Sequence, residues 1–478
     1  MKNYFVTTSI PYVNADPHIG FAMELIQADV LARYARRNQA NVIFSTGTDE
    51  HGGKIAEKAE LLGITPKKLA DDISQKFRDL AEKLNTTADR FIRTTDQNHI
   101  KSAKEIWRLL EKDIYKSTYI GWYCTGDEAF FTETEVNQFG GVCPNHNRPF
   151  EKIEEDNYFF KLSKYSEEIK QAITTKELSI LPSSRGNEIL SLIESGLDDI
   201  SISRPKDKIT WGIPTPSDDS QVMYVWFEAL MNYITVLGFP DSKDFSDFWP
   251  ADVQIVGKDI LRFHAAIWPA MLLALGLKLP KKLYVHGFVT LNSQKISKSL
   301  GNVISPDEIV DIYGSDAFRY YFLRHIPSYG DGDYNLDNFK KAYESELANE
   351  LGNAVQRTVV LIDKYFNEEQ LEYSPAQHDS TEINEAINDC RFDRALDLIW
   401  EQVRGLNQFI DETKPWKIAK NNDLSHLKEV LTYQAANLLE ISILLEPFLP
   451  NVSQQISQIF SINSAGKYRK ILFPKLDN

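Results

Sequence analysis

Two short segments of the chain carry residues suited to holding phosphate. Asp16-Pro17-His18-Ile19-Gly20 lies near the N-terminus, and Lys295-Ile296-Ser297-Lys298-Ser299 lies in the second half. In the first, a histidine and a residue without a side chain fall where a strand gives way to a helix. His18 is placed to donate to a phosphate oxygen, Gly20 lets a nucleotide lie against the backbone, and the free N–H groups of a helix N-terminus favour an anion. In the second, Lys295 and Lys298 are compact charges on flexible stems, while Ser297, Ser299 and the Gly301-Asn302 pair suit a loop that closes and reopens. Taken singly, each segment also fits a bland reading: a capped helix with a buried histidine, and a solvated loop. Their order, separation and context point instead to two halves of a clamp around ATP. The G-x-x-x-x-G-K-S/T and G-x-G-x-x-G spacings are both absent, so the nucleotide site is of another kind.

The elements that must position these residues follow from patterning. Residues 2–10 are β-branched and aromatic and predict a first buried strand. Asp16 reads as an N-cap with Pro17 at the first helical position, followed by Ala22, Leu25, Ile26, Leu31 and Ala35 at helical spacing. Further strands are predicted over 41–45, 253–256 and 283–289, and Gly257-Lys258-Asp259 leads into a helix reaching about Leu275. Such alternation predicts a parallel sheet covered by helices. Residues 115–155 break the pattern with Gly, Thr, aromatic and charged residues, and read as an inserted module that splits the sheet in sequence. Beyond Asn338, apolar stripes run through Tyr343, Leu347, Leu351, Val355, Val359, Ile362 and Phe366, then Leu396 to Ile410, then Leu427 to Leu445, and predict a helix bundle. Within the insertion, Cys124-x-x-Asp127 and Cys143-x-x-His146 have the spacing of a structural zinc knuckle. A degenerate knuckle that folds without metal fits the same residues.

Composition narrows the class. A chain of 478 residues implies two to four domains, and a net charge of −15 speaks against coating nucleic acid by bulk electrostatics. An RNA partner must then be held by local basic patches and base contacts. Three cysteines argue against a disulfide framework. No apolar run reaches the length of a membrane span and the N-terminus shows no secretory pattern, so the expectation is a cytoplasmic protein with no membrane partner.

The two phosphate segments, together with SIPYVNADPHIG (9–20), TGTDEHG (46–52), YVWFEALMNY (224–233), VGKDILRFHAAIWPAM (256–271), VHGFVTLNSQKISKSLGNVI (285–304) and DAFRYYFLRHIPSYGDGDY (316–334), resemble the class I aminoacyl-tRNA synthetases, and more narrowly the methionyl-tRNA synthetase family, along almost the whole chain. His18-Ile19-Gly20 is similar to most of the HIGH motif and Lys295–Ser299 to the KMSKS motif. The family's fourth HIGH residue is usually histidine and here is Phe21, which removes one polar group near the ATP. The resemblance implies an α/β fold: a Rossmann-type parallel-sheet catalytic domain over 1–114 and 223–289, split by a connective insertion over 115–222. A KMSKS loop and stem-contact region over 290–338 and an all-α anticodon-binding bundle over 339–478 complete it. It implies activation of L-methionine by ATP with Mg²⁺, then transfer to tRNA(Met), including the initiator, by a monomer that lacks a further C-terminal domain. His18, Gly20, Lys295 and Lys298 would serve catalysis, and Gly257, Asp259 and Ser297 would join them around ATP. Ile10, Tyr12, Asp49, Trp226, Ala229, Tyr233, Ile260, His264 and Trp268 would surround the methionine, with Asp49 on its ammonium group. Asn353, Arg357 and Trp416 would read the CAU anticodon. The insertion is too short for the editing domain of the isoleucyl, valyl and leucyl enzymes. A nucleotidylyltransferase that binds no tRNA would share the ATP site, and a tRNA-binding paralogue without activity would share the bundle.

Overall fold

A computed structural model of the chain describes residues 2–124, 129–131, 133–144, 147–292, 294–295, 304–366, 371, 374–460 and 472–474. Among them, six strands form one sheet: β1 (Asn3–Thr7), β2 (Asn41–Thr48), β3 (Arg90–Arg93), β4 (Ser179–Leu181), β5 (Val253–Gly257) and β6 (Lys282–His286). Their order is β3-β2-β1-β5-β6-β4, and every pairing is parallel. All of β5 is buried, as a strand covered by helices on both faces must be. The sheet is thus split in sequence and joined in space, with Val6 of β1 beside Val253 of β5. At that seam the strand order turns, the position where sheets of this kind open a crevice beyond the carboxyl ends of their strands.

The structure departs from the sequence reading in four local respects. Strand β4 comes from within the stretch assigned to the insertion, yet pairs with β6, because Ile180 finds apolar cover in the same core as Leu283 and Val285. The expected strand over 283–289 stops at His286. A Cβ at Gly287 would stand 1.9 Å from the Gly330 carbonyl oxygen, and this close passage bends the chain before it re-forms a strand at Val289–Leu291 in a separate small sheet. Helix α1 (Ile19–Arg37) is capped by His18 rather than Asp16. The Asp16 carboxylate is drawn instead to Lys76 Nζ at 2.8 Å, and His18 Nδ1 accepts the Gly20 N–H at 3.1 Å. The stripe from Tyr343 is not one regular helix: Tyr343–Gly352 is wound as a π-helix before α-helical geometry resumes at Asn353.

The further helices needed below are α2 (Gln97–Leu109), α3 (Val225–Leu230), α4 (Ser315–Arg324), α5 (Asn353–Tyr365), α6 (Phe392–Thr413), α7 (Leu424–Leu445) and α8 (Pro450–Ile459). The last four belong to the bundle. Leu396, Ile399, Val403, Leu406 and Ile410 of α6 are buried as their spacing requires, as are Leu427, Leu431, Leu438, Ile441 and Leu445 of α7. One apolar core runs from β1 and α1 through α4 into the bundle. Arg319 of α4 lies inside it with no exposure. Its Nη1 is 2.8 Å from Asp29 of α1, its Nε donates to the Phe448 carbonyl at 2.6 Å, and its Nη2 donates to the Pro447 carbonyl at 2.9 Å. Asp316, also buried, accepts the Val452 N–H of α8 at 2.7 Å. No described helix is long and apolar enough to cross a membrane.

Replacing Arg319 by leucine leaves the Pro447 and Phe448 carbonyls buried without this donor and takes from Asp29 one of its two guanidinium partners, and the expected loss is about 3–5 kcal/mol in urea unfolding. Asp316 supplies a pH signature. Burial pushes its carboxyl from 3.8 to about 6, so its contribution is complete below the unfolded value and is lost as pH rises through about 6. The Asp316→Asn variant is therefore expected to lose this downward slope between about pH 4 and pH 6 in urea midpoints measured across that range.

Candidate active site

The segments that follow β1 and β5 carry His18, Gly20, Gly257 and Asp259 of the first group of sequence candidates. His18 is exposed at the head of α1, and its Nδ1 is engaged by the Gly20 N–H. Accepting that hydrogen bond places the proton of the neutral ring on Nε2, the form that donates to an oxygen anion. A Cβ at Gly20 would lie 3.0 Å from His18 Cε1, so a side chain there would displace the imidazole. Phe21 is buried and meets Phe77 edge-on at 5.1 Å. The lost polar group expected from Phe21 is therefore a core ring in this fold. Gly257 ends β5 and Asp259 is exposed on the turn that follows. A Cβ on Gly257 would come within 2.6 Å of Asp259 Oδ1, so the glycine leaves room for that carboxylate. Lys258 fastens the turn through Asp331, Nζ to Oδ2 being 2.6 Å. Lys295 pairs by its backbone with Thr290 in a short hairpin. Ser297, Lys298 and Ser299 lie outside the described residues.

The second group is the wall that the sequence reading sets around methionine. Past the half-buried Ile10, Tyr12 bridges to Asp49 in parallel, with the Asp49 N–H donating to Pro11 at 2.9 Å and the Val13 N–H donating to Asp49 at 3.0 Å. The Asp49 side chain is buried. Trp226 and Ala229 lie one turn apart on α3, and Trp226 stacks on Phe263 at 4.3 Å. Tyr233 donates to His264 Nε2 at 2.8 Å, and His264 Nδ1 donates to the Ile260 carbonyl at 2.9 Å. Burial pushes the His264 imidazole down to about 4, so it stays neutral around pH 7. Burial, with the nearby Glu24 charge, pushes the Tyr233 phenol up, and Trp268 is buried with its ring 5.8 Å from Tyr233. His264 lies in a π-helical turn, Phe263–Ile267, which rotates its ring relative to a regular helix. Asp49 is thus a buried carboxylate, and Trp226, Tyr233, His264 and Trp268 make a neutral, aromatic and polarizable group.

Sequence reasoning did not single out the buried acids that hold this wall. Glu24 of α1 accepts the Ser9 N–H at 2.5 Å and pairs with His286 Nε2 at 2.9 Å, which ties the end of β6 to α1. Burial alone would push the His286 imidazole down, but its hydrogen bond to Glu24 and that carboxylate's charge hold it above its usual value. Glu50, next to Asp49, accepts Arg93 Nε at 2.7 Å and Nη2 at 2.9 Å. For Glu24 the available signal was an acidic residue inside the apolar run 21–26, which demands a partner once buried.

In the bundle, Asn353 is exposed at the start of α5. The Arg357 guanidinium lies 4.7 Å from the centre of the half-buried Trp416 ring and 2.9 Å from Asp411. In the insertion, Cys124 and Cys143 are buried in a small apolar cluster with Val136 and Phe150, while Asp127 and His146 lie outside the described residues. Among the described residues, no group of three or more His, Cys, Asp or Glu side chains is placed to hold a metal ion.

Similarity to known proteins covers almost the whole chain. The family described as tRNA synthetases class I (M) matches residues 4–152 and 147–359. The methionine–tRNA ligase of Halalkalibacterium halodurans is 40% identical over 97% of this chain and 74% of its own length. That of Brucella suis is also 40% identical, over 96% of this chain and 92% of its own. Among solved structures, Mycobacterium tuberculosis methionyl-tRNA synthetase in complex with methionyl-adenylate superposes with a TM-score of 0.92 at 34% identity, covering 99% of this chain and 100% of that one.

The neutral state of His264 is directly measurable. Ring-nitrogen NMR shifts are expected to show Nδ1 protonated and Nε2 bare from about pH 5.5 to pH 8; a titration midpoint above pH 6 would contradict the burial argument.

Proposed function

The chain belongs to the class I methionyl-tRNA synthetases, and on that premise we propose how its residues divide the work of activating methionine with ATP and passing the methionyl group to tRNA. The observations that support the reading are the buried Asp49 on the turn after β2 and an aromatic group kept free of charge by the neutral His264. Methionine brings an ammonium group that requires a carboxylate and a thioether that carries no charge. Asp49 takes the first. Ile10, Tyr12, Trp226, Ala229, Tyr233, Ile260, His264 and Trp268 accommodate the second by shape and sulfur–aromatic contact.

In the activation step a methionine carboxylate oxygen attacks the α-phosphorus of ATP. An acyl–O–P bond forms, the α–β phosphoanhydride breaks, and the electron pair leaves with pyrophosphate. The protein contributes alignment and charge stabilisation rather than covalent chemistry. His18 donates through Nε2 to phosphate oxygen, Gly20 and Gly257 let the nucleotide approach the backbone, and Asp259 accepts from the ribose hydroxyls. Lys295 and Lys298, with Ser297, follow the charge that builds on the departing pyrophosphate. Mg²⁺ would enter this site with the ATP phosphates and lower their charge. In the second step the terminal 2′-hydroxyl of tRNA attacks the acyl carbon and AMP departs. Cys124 and Cys143 belong to the fold of the insertion, with or without zinc on the knuckle completed by Asp127 and His146, and take no part in either step.

In the bundle, Asn353 and Arg357 read anticodon base edges and Trp416 stacks an unstacked base. The Arg357–Asp411 pair is exposed on its acidic side and worth at most about 1 kcal/mol, so a base can displace it. The substrates on this reading are tRNA(Met), including the initiator, and L-methionine, and the enzyme is a cytoplasmic monomer.

Amino-acid-dependent ATP–pyrophosphate exchange tests the pocket: exchange is expected with methionine and not with isoleucine, leucine, valine or cysteine. His18→Ala is expected to lower that exchange by about 10²–10³, the cost of one preorganised donor. Trp416→Ala should spare exchange and cripple tRNA charging; an equal fall in both activities would remove Trp416 from the anticodon site.

A further inference from the structure

Glu228 lies on α3 between Trp226 and Ala229 and has no exposure. A carboxylate only accepts, so the imidazoles around it donate. His51 Nδ1 reaches Glu228 Oε1 at 2.8 Å, and His99 Nε2 reaches Oε2 at 2.8 Å. Both histidines are buried. His99, near the start of α2, turns its Nδ1 to Thr235 Oγ1 at 2.8 Å, two residues beyond Tyr233. His51 lies two residues beyond Asp49, and its ring rests 5.5 Å from that of Trp211. The Trp211 indole donates to the Glu50 carbonyl at 2.5 Å, and the Gly52 N–H donates to the Trp211 carbonyl at 2.9 Å. The acid therefore reaches both sides of the proposed pocket. On one side it holds the turn that carries Asp49. On the other it holds the helix that carries Trp226 and Ala229 and the segment of Tyr233.

From this geometry we infer that Glu228, through His51 and His99, is a positioning residue that sets the span between the Asp49 carboxylate and the Trp226–Tyr233 wall, and so sets methionine affinity. The inference rests on the reading of that pocket as the methionine site. The hydrogen bonds of Glu228, His51 and His99 run among the elements of the methionine wall, whereas His18 and Asp259 stand on the turns at α1 and β5. A change in the span should therefore register on one substrate and not on the other. A purely structural role would lower stability and weaken both substrates together.

The experiment measures KM for methionine and for ATP in pyrophosphate exchange on the full chain, with thermal unfolding as a control for folding. Glu228→Gln is expected to raise the methionine KM tenfold or more and leave the ATP KM within twofold. An unchanged methionine KM, or the two KM values rising together, overturns the inference. If Glu228→Gln does not fold, His51→Leu and His51→Asn decide it. Asparagine retains a donor near the position of Nδ1 and should restore most of the methionine affinity that leucine loses; equal values for the two variants overturn the inference. Asp49→Asn separates this failure from that of the pocket reading. If its methionine KM is unchanged, the pocket is misassigned and the inference falls with it. If it rises while Glu228→Gln stays at the wild-type value, only the positioning role is lost.

Discussion

The Arg319 guanidinium, buried without exposure, is the interaction on which the relation between the two halves of the molecule depends. A guanidinium cannot shed its charge, and out of water its donors must meet acceptors. Those acceptors come from Asp29 on α1 and from the carbonyls of Pro447 and Phe448 between α7 and α8, more than four hundred residues apart in the chain. Apolar packing between α1, α4 and the bundle supplies the drive to dock but no direction, since it depends on area rather than angle. The planar fork of Arg319 supplies the direction. Asp29 lies on the helix headed by His18 and Gly20, so one rigid element carries both the proposed phosphate-binding turn and the seat of the bundle.

The same logic recurs around the amino-acid pocket. Glu24, Glu50 and Glu228 are each buried, and each directs its charge to a cation or to imidazole N–H groups. Each also neighbours a residue of the proposed pocket, so a local charge pair fixes a nearby recognition group. The surface proposed to face an uncharged thioether is meanwhile kept neutral, with His264 bound between Tyr233 and the Ile260 carbonyl. In a medium of low dielectric an unpaired charge facing that thioether would be costly, and a paired one behind the wall is not.

Much of this was legible in the residue pattern. The β-branched runs became β1, β2 and β5, the long stripes became α6 and α7, and the split of the sheet followed from the change in character near residue 115. His18-Ile19-Gly20, Asp49 and the aromatic cluster could be named as candidates only through the family motifs they resemble, because each taken singly also fits a capped helix or an ordinary core. Four features were not legible. The capping of α1 by His18 depended on Lys76, sixty residues away, drawing off Asp16. The break after His286 depended on Gly330 lying against Gly287. The edge strand β4 depended on a shared core, and the π-helical turns at Phe263–Ile267 and Tyr343–Gly352 have no signature in spacing.

By itself, the sequence determined the strands β1, β2 and β5, the long helices α6 and α7, and the faces that those helices bury. Those properties arise from local propensity and from apolar periodicity, which act over a few residues. Only the tertiary structure decided which partner each buried charge takes: Arg319 with Asp29, Glu24 with His286, Glu228 with His51 and His99. A buried acid announces in sequence that it needs a donor, but not which one. Hydrogen bonding acts over about 3 Å in space and is indifferent to separation along the chain, so the choice is made only when the fold brings the partners together.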